Sequence, residues 1–178
     1  MPDTVYRLGE TIISEEQIRE RAAEIGRKIS EDAAGEEILA VGILKGAVMW
    51  MCEVIKNISV PVKIDFMAVS SYGAATKSSG VVRIIKDLDT AIEGRHVIIV
   101  EDIVDSGITL SYLKESLSAR KPKSLKICAL LDKPARRRAE IEIDYAGFTV
   151  GDVFIVGYGL DVDQQFRNLP YITSVTAE

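Results

Sequence analysis

Apolar positions along this chain fall into blocks whose spacing changes from one block to the next, and the changes predict its elements. In residues 14–34, Ile18, Ala22, Ile25 and Ile29 recur at helical spacing. Ser14 stands three residues before Gln17, a capping box in which each side chain satisfies the other residue's free N–H. Gly35 is placed to close that helix. From Ile38 to Leu44 the residues are almost continuously apolar, the pattern of a strand covered on both faces. Gly46 to Asn57 reads as a helix, Pro61 breaks the chain, and Val62 to Val69 reads as a second strand. Residues 70–80, SSYGAATKSSG, are small and polar and predict a surface loop or lid, with Val81 to Lys86 pairing back as a strand. His96 to Glu101 is another doubly covered strand, and a helix begins near Ile108. After a turn at Lys121-Pro122-Lys123, Leu125 to Leu131 is strand-like, Phe148 to Val156 contains a further strand, and a short one lies near Ile172. Strands alternating with helices predict an α/β domain, a mainly parallel twisted sheet flanked by helices.

Composition narrows the class. The 178 residues are 47% hydrophobic, enough for one domain with a sizeable core and no linker. A net charge of −5 gives no support for binding nucleic acid or anionic lipid. One His and two Cys cannot build a closed N/S zinc site. Cys52 and Cys128 each sit in an apolar run and read as small buried residues in a reducing compartment. The first ten residues, MPDTVYRLGE, carry charges where a signal peptide needs an apolar core. The longest stretch without Asp, Glu, Lys or Arg, from Phe66 to Thr76, is too short and polar to span a bilayer. The expectation is a soluble cytoplasmic protein.

In a parallel sheet, ligands gather at the carboxyl ends of the strands. Val97 to Val100 is followed there by Glu101, Asp102 and then Asp105, Ser106, Gly107 and Thr109. Two adjacent carboxylates leave a buried strand, and hydroxyls and a glycine then open a helix. Free N–H groups at that helix start, with the Ser106 and Thr109 hydroxyls, make an anion cradle. Carboxylates beside it suit sugar hydroxyls and Mg²⁺. Helix capping accounts for one acid; three in five residues exceed it. Other phosphate motifs fail: no G-x-x-x-x-G-K-[ST] is present, and Val162 stands where a pattern begun at Gly157-Tyr158-Gly159 needs a third glycine.

The run VIIVEDIVDSGITL closely resembles the phosphoribosyl-diphosphate signature of the type I phosphoribosyltransferases. Leu44-Lys45-Gly46-Ala47, Ser71-Tyr72-Gly73, Leu131-Asp132-Lys133-Pro134 and Val156-Gly157-Tyr158-Gly159-Leu160-Asp161, with Phe166-Arg167 after it, are similar to the 6-oxopurine branch. The resemblance runs from about residue 10 to 175 and implies the type I phosphoribosyltransferase fold. That fold carries a small hood subdomain, here the N-terminal segment with roughly residues 150–178, and a mobile loop near 70–80 that includes Ser71 and Tyr72. It implies purine salvage: hypoxanthine or guanine and 5-phosphoribosyl 1-diphosphate give IMP or GMP and diphosphate, with Mg²⁺, in a homodimer or homotetramer.

The resemblance also implies roles. Asp105 is the general base near purine N7. Glu101 and Asp102 hold the ribose hydroxyls and Mg²⁺, and Asp105, Ser106, Gly107, Ile108 and Thr109 form the 5′-phosphate loop. Ile108 departs from members that carry Lys there. Lys45 and Gly46 form the diphosphate loop, joined by Arg167, and relatives often have a cis peptide at the bond matching Leu44-Lys45. Lys133 donates to the purine O6, where adenine would present a donor instead. Phe154 stacks on the base, backbone near Ile155 and Asp161 reads its other edge, and Asp161 carries a second Mg²⁺ through water. Read without the family, Lys45 and Arg167 are solvated charges, and Phe154 is core packing. Arg137 is either a cation near the diphosphate or a solvated helix end. Lys121, Lys123, Lys126 and Arg136 to Arg138 are a possible basic patch, His96 is structural, and Trp50 with Met49 and Met51 is core or subunit interface. Two alternatives stand beside salvage. A regulator of the RNA-binding or repressor kind would want a basic face or an added DNA-binding segment; a xanthine-preferring relative would differ only near the purine C2.

Overall fold

The first ordered segment is one the hydrophobic pattern does not predict. In the computed structural model, which describes residues 4–71 and 82–178, strand β1 (Tyr6–Ile13) is largely exposed, so no alternation marks it in the sequence. Helix α1 (Glu15–Ala33) follows, and its capping box forms: the Ser14 hydroxyl accepts from the Gln17 N–H at 3.2 Å, and Gln17 Oε1 accepts from the Ser14 N–H at 2.8 Å. The four apolar residues of its predicted stripe are all buried. The helix ends one residue early, at Ala34 with φ 49°, and Gly35 continues the left-handed turn.

Strand β2 (Ile38–Leu44) has the predicted bounds, and α2 (Val48–Ile55) is shorter than the predicted Gly46 to Asn57. Strand β3 (Val62–Ser71) pairs antiparallel with β4 (Val82–Lys86). The rest of the predicted lid, with Tyr72, lies outside the described residues. Strand β5 (His96–Val104), helix α3 (Ile108–Ser118) and strand β6 (Ser124–Asp132) come next. A 3₁₀ turn at Pro134–Arg136 leads towards β7 (Tyr145–Thr149), β8 (Ile155–Val156) and β9 (Ile172–Ala177). The strand expected within Phe148 to Val156 is thus two strands, one in each sheet, with residues 150–154 as the connection between them.

Six strands form one sheet in the order β4-β3-β2-β5-β6-β7, parallel except for β4. Alternate side chains of its central strands go to opposite faces. Ile38, Ala40, Ile98, Val100, Cys128 and Leu130 pack with α1 and α2, including the fully buried Trp50. Leu39, Val41, Val97, Ile99, Ile127 and Ala129 pack with Leu110, Leu113 and Leu117 of α3. Cys128 is buried as expected, and burial pushes its thiol up to about 12. Cys52 corrects the expectation: on α2 the core takes Trp50, Met51 and Val54, and Cys52 faces outward. A second, three-stranded sheet, β1-β9-β8, stands apart from the first. Among the described residues no helix is long and apolar enough to cross a membrane.

Candidate active site

The chain leaves β2 for β3 on one side, while β5 continues to β6 on the other, so the connections diverge between β2 and β5. The pairing shows the same divergence. Contact between β2 and β5 stops at Gly42 and Val100, yet β2 stays with β3 as far as Leu44 and β5 stays with β6 as far as Val104. The two carboxyl ends therefore splay apart, and a crevice opens at this switch point. Glu101 and Asp102 do not leave the strand, as the sequence suggested; they are part of it, held by pairing with β6 after β2 has turned away.

Both carboxyls are withdrawn from water, and burial pushes both pKa values up; for Glu101 the adjacent Asp102 charge adds to the rise. The chain after β2 closes against this pair. A Cβ at residue 46 would run into the Asp102 carboxylate, and one at residue 159 would run into the Gly46 carbonyl. Gly159 also has φ 102°, so both positions require glycine. Lys45, Gly46, Asp102 and the Gly157–Gly159 turn are thereby brought together, and the Leu44–Lys45 peptide is cis.

Arg167 is held in the same place. Its Nη1 donates to the Gly159 carbonyl at 2.7 Å, and its Nη2 pairs with Asp161 at 2.7 Å. Gln164 Oε1 accepts from Lys45 Nζ at 3.1 Å and from Arg167 Nη2 at 3.3 Å, linking the two cations. Lys45 is exposed, but Arg167 is not a solvated charge: its side chain is 27% exposed and fixed at three points.

On the other side of the acid pair, Asp105, Ser106 and Gly107 form the turn into α3. Gly107 has φ 78° and no acid lies in the first turn of the helix; the Ile108 N–H makes a long bond of 3.4 Å to the Ser106 hydroxyl, and the other N–H groups of the turn remain available to an anion. A recess of 110 Å³ there is lined by Glu101, Asp105, Ser106, Gly107 and Thr109 among others. Ile108 is 37% exposed and does not line the recess. One Asp105 oxygen, Oδ1, is buried without a hydrogen-bond partner among the described residues.

A cleft of 240 Å³ adjoins, with Asp102, Asp105, Lys133, Phe154, Ile155 and Asp161 in its wall. Lys133 is 5% exposed; its ammonium donates to the Val153 carbonyl at 2.7 Å, and its N–H donates to Val104 at 3.0 Å. Phe154 is 59% exposed on the connection before β8, which removes the core-packing reading. The arrangement joins an anion cradle, a crowded acid pair, two cations and a buried ammonium beside a carboxylate with one unpartnered oxygen.

Residues 10–163 match the family model for the phosphoribosyl transferase domain. Over 167 residues the chain is 53% identical to hypoxanthine-guanine phosphoribosyltransferase of Bacillus subtilis, covering 94% of this chain and 93% of that one. The chain belongs to the hypoxanthine-guanine phosphoribosyltransferases. It is 52% identical to the Mycobacterium avium member, over 90% of this chain and 82% of that one. Among solved structures, the hypoxanthine-guanine phosphoribosyltransferase of Bacillus anthracis superposes with a TM-score of 0.91 at 44% identity, covering 97% and 99% of the two chains. The Trypanosoma cruzi hypoxanthine phosphoribosyltransferase in complex with its product IMP superposes with a TM-score of 0.88 at 37% identity over 94% of each.

Sequence reasoning missed three side chains of this phosphoribosyltransferase site and misplaced a fourth. Arg136 lines the cleft, pairs with Asp152 at 2.5 Å and stands 3.9 Å from Asp105. Its spacing of three from Lys133 across a 3₁₀ turn, where such positions eclipse, was a usable signal. Asp152 and Gln164 carried none. Arg137 is neither a solvated helix end nor grouped with Lys45 and Arg167: it is 20% exposed and lies behind the Asp105–Gly107 turn.

Proposed function

We propose that this phosphoribosyltransferase joins hypoxanthine or guanine to 5-phosphoribosyl 1-diphosphate, giving IMP or GMP and diphosphate. The observation that carries the reading is the single cleft shared by Asp105 and Lys133, two groups that a purine would need on one edge. The bond from C1′ to the diphosphate oxygen breaks, the bond from C1′ to purine N9 forms, and the proton on N7 passes to Asp105. The place of Asp105 in the cleft wall supports that role, with Oδ1 making no hydrogen bond among the described residues and Oδ2 3.9 Å from Arg136 Nη1. Lys133, fixed by the Val153 carbonyl, donates to O6. An amino group at that position leaves a buried ammonium facing a donor, and adenine is rejected.

The N–H groups of residues 106–109 take the 5′-phosphate, that of Ile108 by giving up its long bond to the Ser106 hydroxyl, and Lys45, Gly46 and Arg167 take the diphosphate, where a planar guanidinium suits phosphate oxygens. Phe154 covers the base, Ile155 and Asp161 flank its far edge, and β1-β9-β8 acts as the hood that carries them. Of the two residues expected in a closing loop, Ser71 ends strand β3 and Tyr72 lies outside the described residues. Glu101 and Asp102 bind the ribose hydroxyls and Mg²⁺, and Asp161 a second Mg²⁺ through water. The acid pair fits a cation, since burial raises both pKa values, the Asp102 charge raises that of Glu101 further, and a divalent ion relieves both. Among the described residues no three side chains form a cation cage by themselves, which suits Mg²⁺, an ion that keeps waters and uses substrate oxygens. Bound there, Mg²⁺ supplies charge neutralisation for the leaving diphosphate. The enzyme works in the cytoplasm as a homo-oligomer.

The test is an ultraviolet assay with 5-phosphoribosyl 1-diphosphate and Mg²⁺, offering hypoxanthine, guanine, xanthine, adenine and uracil separately. Mg²⁺-dependent nucleotide formation with the first two alone is the expected result. Turnover of xanthine at the same rate would break the C2 selectivity. No turnover, with the diphosphate sugar still bound, would replace the enzyme with a sensor.

A further inference from the structure

Behind the Asp105–Gly107 turn every backbone carbonyl is occupied. The Val104 carbonyl accepts from the Lys133 N–H at 3.0 Å and from Arg137 Nη2 at 3.4 Å. The Asp105 carbonyl accepts from Arg137 Nε at 3.2 Å. The Ser106 carbonyl accepts from the N–H groups of Arg138 at 2.9 Å and Ala139 at 3.0 Å. Arg137 Nη1 donates to the Ile141 carbonyl at 3.3 Å, and Nη2 also pairs with the Asp132 carboxylate. The stem of Arg137 fills the space under Gly107, where a Cβ would stand 3.0 Å from Arg137 Cδ.

In a planar trans peptide the C=O and N–H point in opposite directions. Holding the carbonyls of residues 105 and 106 to the rear therefore turns the N–H groups of Ser106 and Gly107 to the front, into the recess. We infer that Arg137 is a positioning residue for the anion cradle: its guanidinium clamps the Val104 and Asp105 carbonyls at the rear of the turn, beside the Ser106 carbonyl held by the next two backbone N–H groups, so that the cradle is already formed when the phosphate arrives. The job requires arginine. Nε, Nη1 and Nη2 serve carbonyls in three directions from one rigid plane, and a lysine ammonium has no such geometry. The inference rests on reading residues 105–109 as the 5′-phosphate loop.

The experiment compares binding of IMP, inosine and inorganic diphosphate by calorimetry in the wild type, Arg137→Lys, Arg137→Gln and Asp132→Asn, with Mg²⁺ present and melting temperatures recorded. The ratio of inosine to IMP dissociation constants isolates the 5′-phosphate. That ratio is expected to fall at least tenfold in Arg137→Lys, with inosine and diphosphate affinities within twofold of wild type. Asp132→Asn keeps the carbonyl contacts and should retain most of the ratio. Uniform weakening of all three ligands, or a lower melting temperature at an unchanged ratio, would reduce Arg137 to a fold-holding residue and overturn the inference. Equal loss of the ratio in Asp132→Asn would assign the effect to the ion pair instead and overturn the carbonyl clamp. A wild type that binds inosine as well as IMP would refute the phosphate-loop reading itself.

Discussion

The two ends of one parallel sheet treat charge in opposite ways. At the amino end, the Asp32 carboxylate takes Lys28 at 2.5 Å, Lys126 at 3.0 Å and the Tyr145 hydroxyl at 2.8 Å. Glu36 takes Lys123 at 2.5 Å and His96 at 3.2 Å, and the other His96 nitrogen meets the Ser124 hydroxyl at 2.6 Å. Lys28 above all holds Asp32 below the usual carboxylate range, and Lys123 does the same for Glu36. The concavity left there is about 20 Å³, room for one water. At the carboxyl end, Glu101 and Asp102 lie side by side with pKa values raised, Asp105 Oδ1 has no partner, and a 240 Å³ cleft stays open. Pairing opposite charges closes one end for the fold. At the other end the like charges of Glu101 and Asp102 stay crowded beside the ion pairs Arg167–Asp161 and Arg136–Asp152, poised for a ligand.

The most direct way to break this contrast is to remove the unpartnered oxygen. Asp105→Asn should lower kcat by about 10²–10⁴-fold, the range for a lost general base, and leave IMP binding nearly unchanged. Equal losses in kcat and in IMP affinity, measured by steady-state kinetics and calorimetry, would make Asp105 a binding group. Next in size is Lys133→Ala. It should cut the preference for hypoxanthine over adenine about 100-fold in kcat/KM, because the ammonium that rejects the amino group is gone. An unchanged preference would take Lys133 out of base selection.

Much of this contrast is legible in the sequence, but unevenly. The doubly buried strands announce themselves, because Ile38 to Leu44 and Val97 to Val100 are apolar on both faces. The acids at the end of β5 stand out for the same reason: charge directly after such a run is out of place. Exposed strands leave no alternation, so β1 was invisible, and the break between β7 and β8 was hidden inside one mixed stretch. Residues whose meaning lies in a distant contact were also unreadable. Asp152 matters through Arg136, Gln164 through Lys45 and Arg167, and Arg137 through carbonyls 32 and 33 positions away.

A smaller effect sharpens the comparison through stability. The folded pKa of Glu101 is raised above its unfolded value of about 4.3, so the native state binds more protons in the window between them. Stability therefore falls as pH rises through that window, and Glu101→Gln should reduce the slope to the part that Asp102 contributes. Without Mg²⁺ at neutral pH the variant should be more stable by about 1 kcal/mol in urea unfolding, the range seen when a functional strain is relieved, while catalysis falls. A destabilised variant would mean that the acid pair holds the fold together.

Asp32→Asn is the mirror experiment at the amino end, and the smallest effect. The folded pKa of Asp32 is depressed below its unfolded value of about 3.9, so its contribution is fully present above that value and fades as pH falls towards the folded one. Lys28 is 60% exposed and its share is screened; Lys126 and Tyr145, less open to solvent, carry more of what remains. The variant should lose about 1 kcal/mol at pH 7, and its unfolding curve should converge with that of the wild type as the solution is acidified. Its kcat and KM should stay within twofold of wild type, since Asp32 lies at the end of the sheet away from the crevice. If kcat moved while stability held, the amino end would be coupled to the chemistry, and opposite-charge pairing there would no longer separate folding from function.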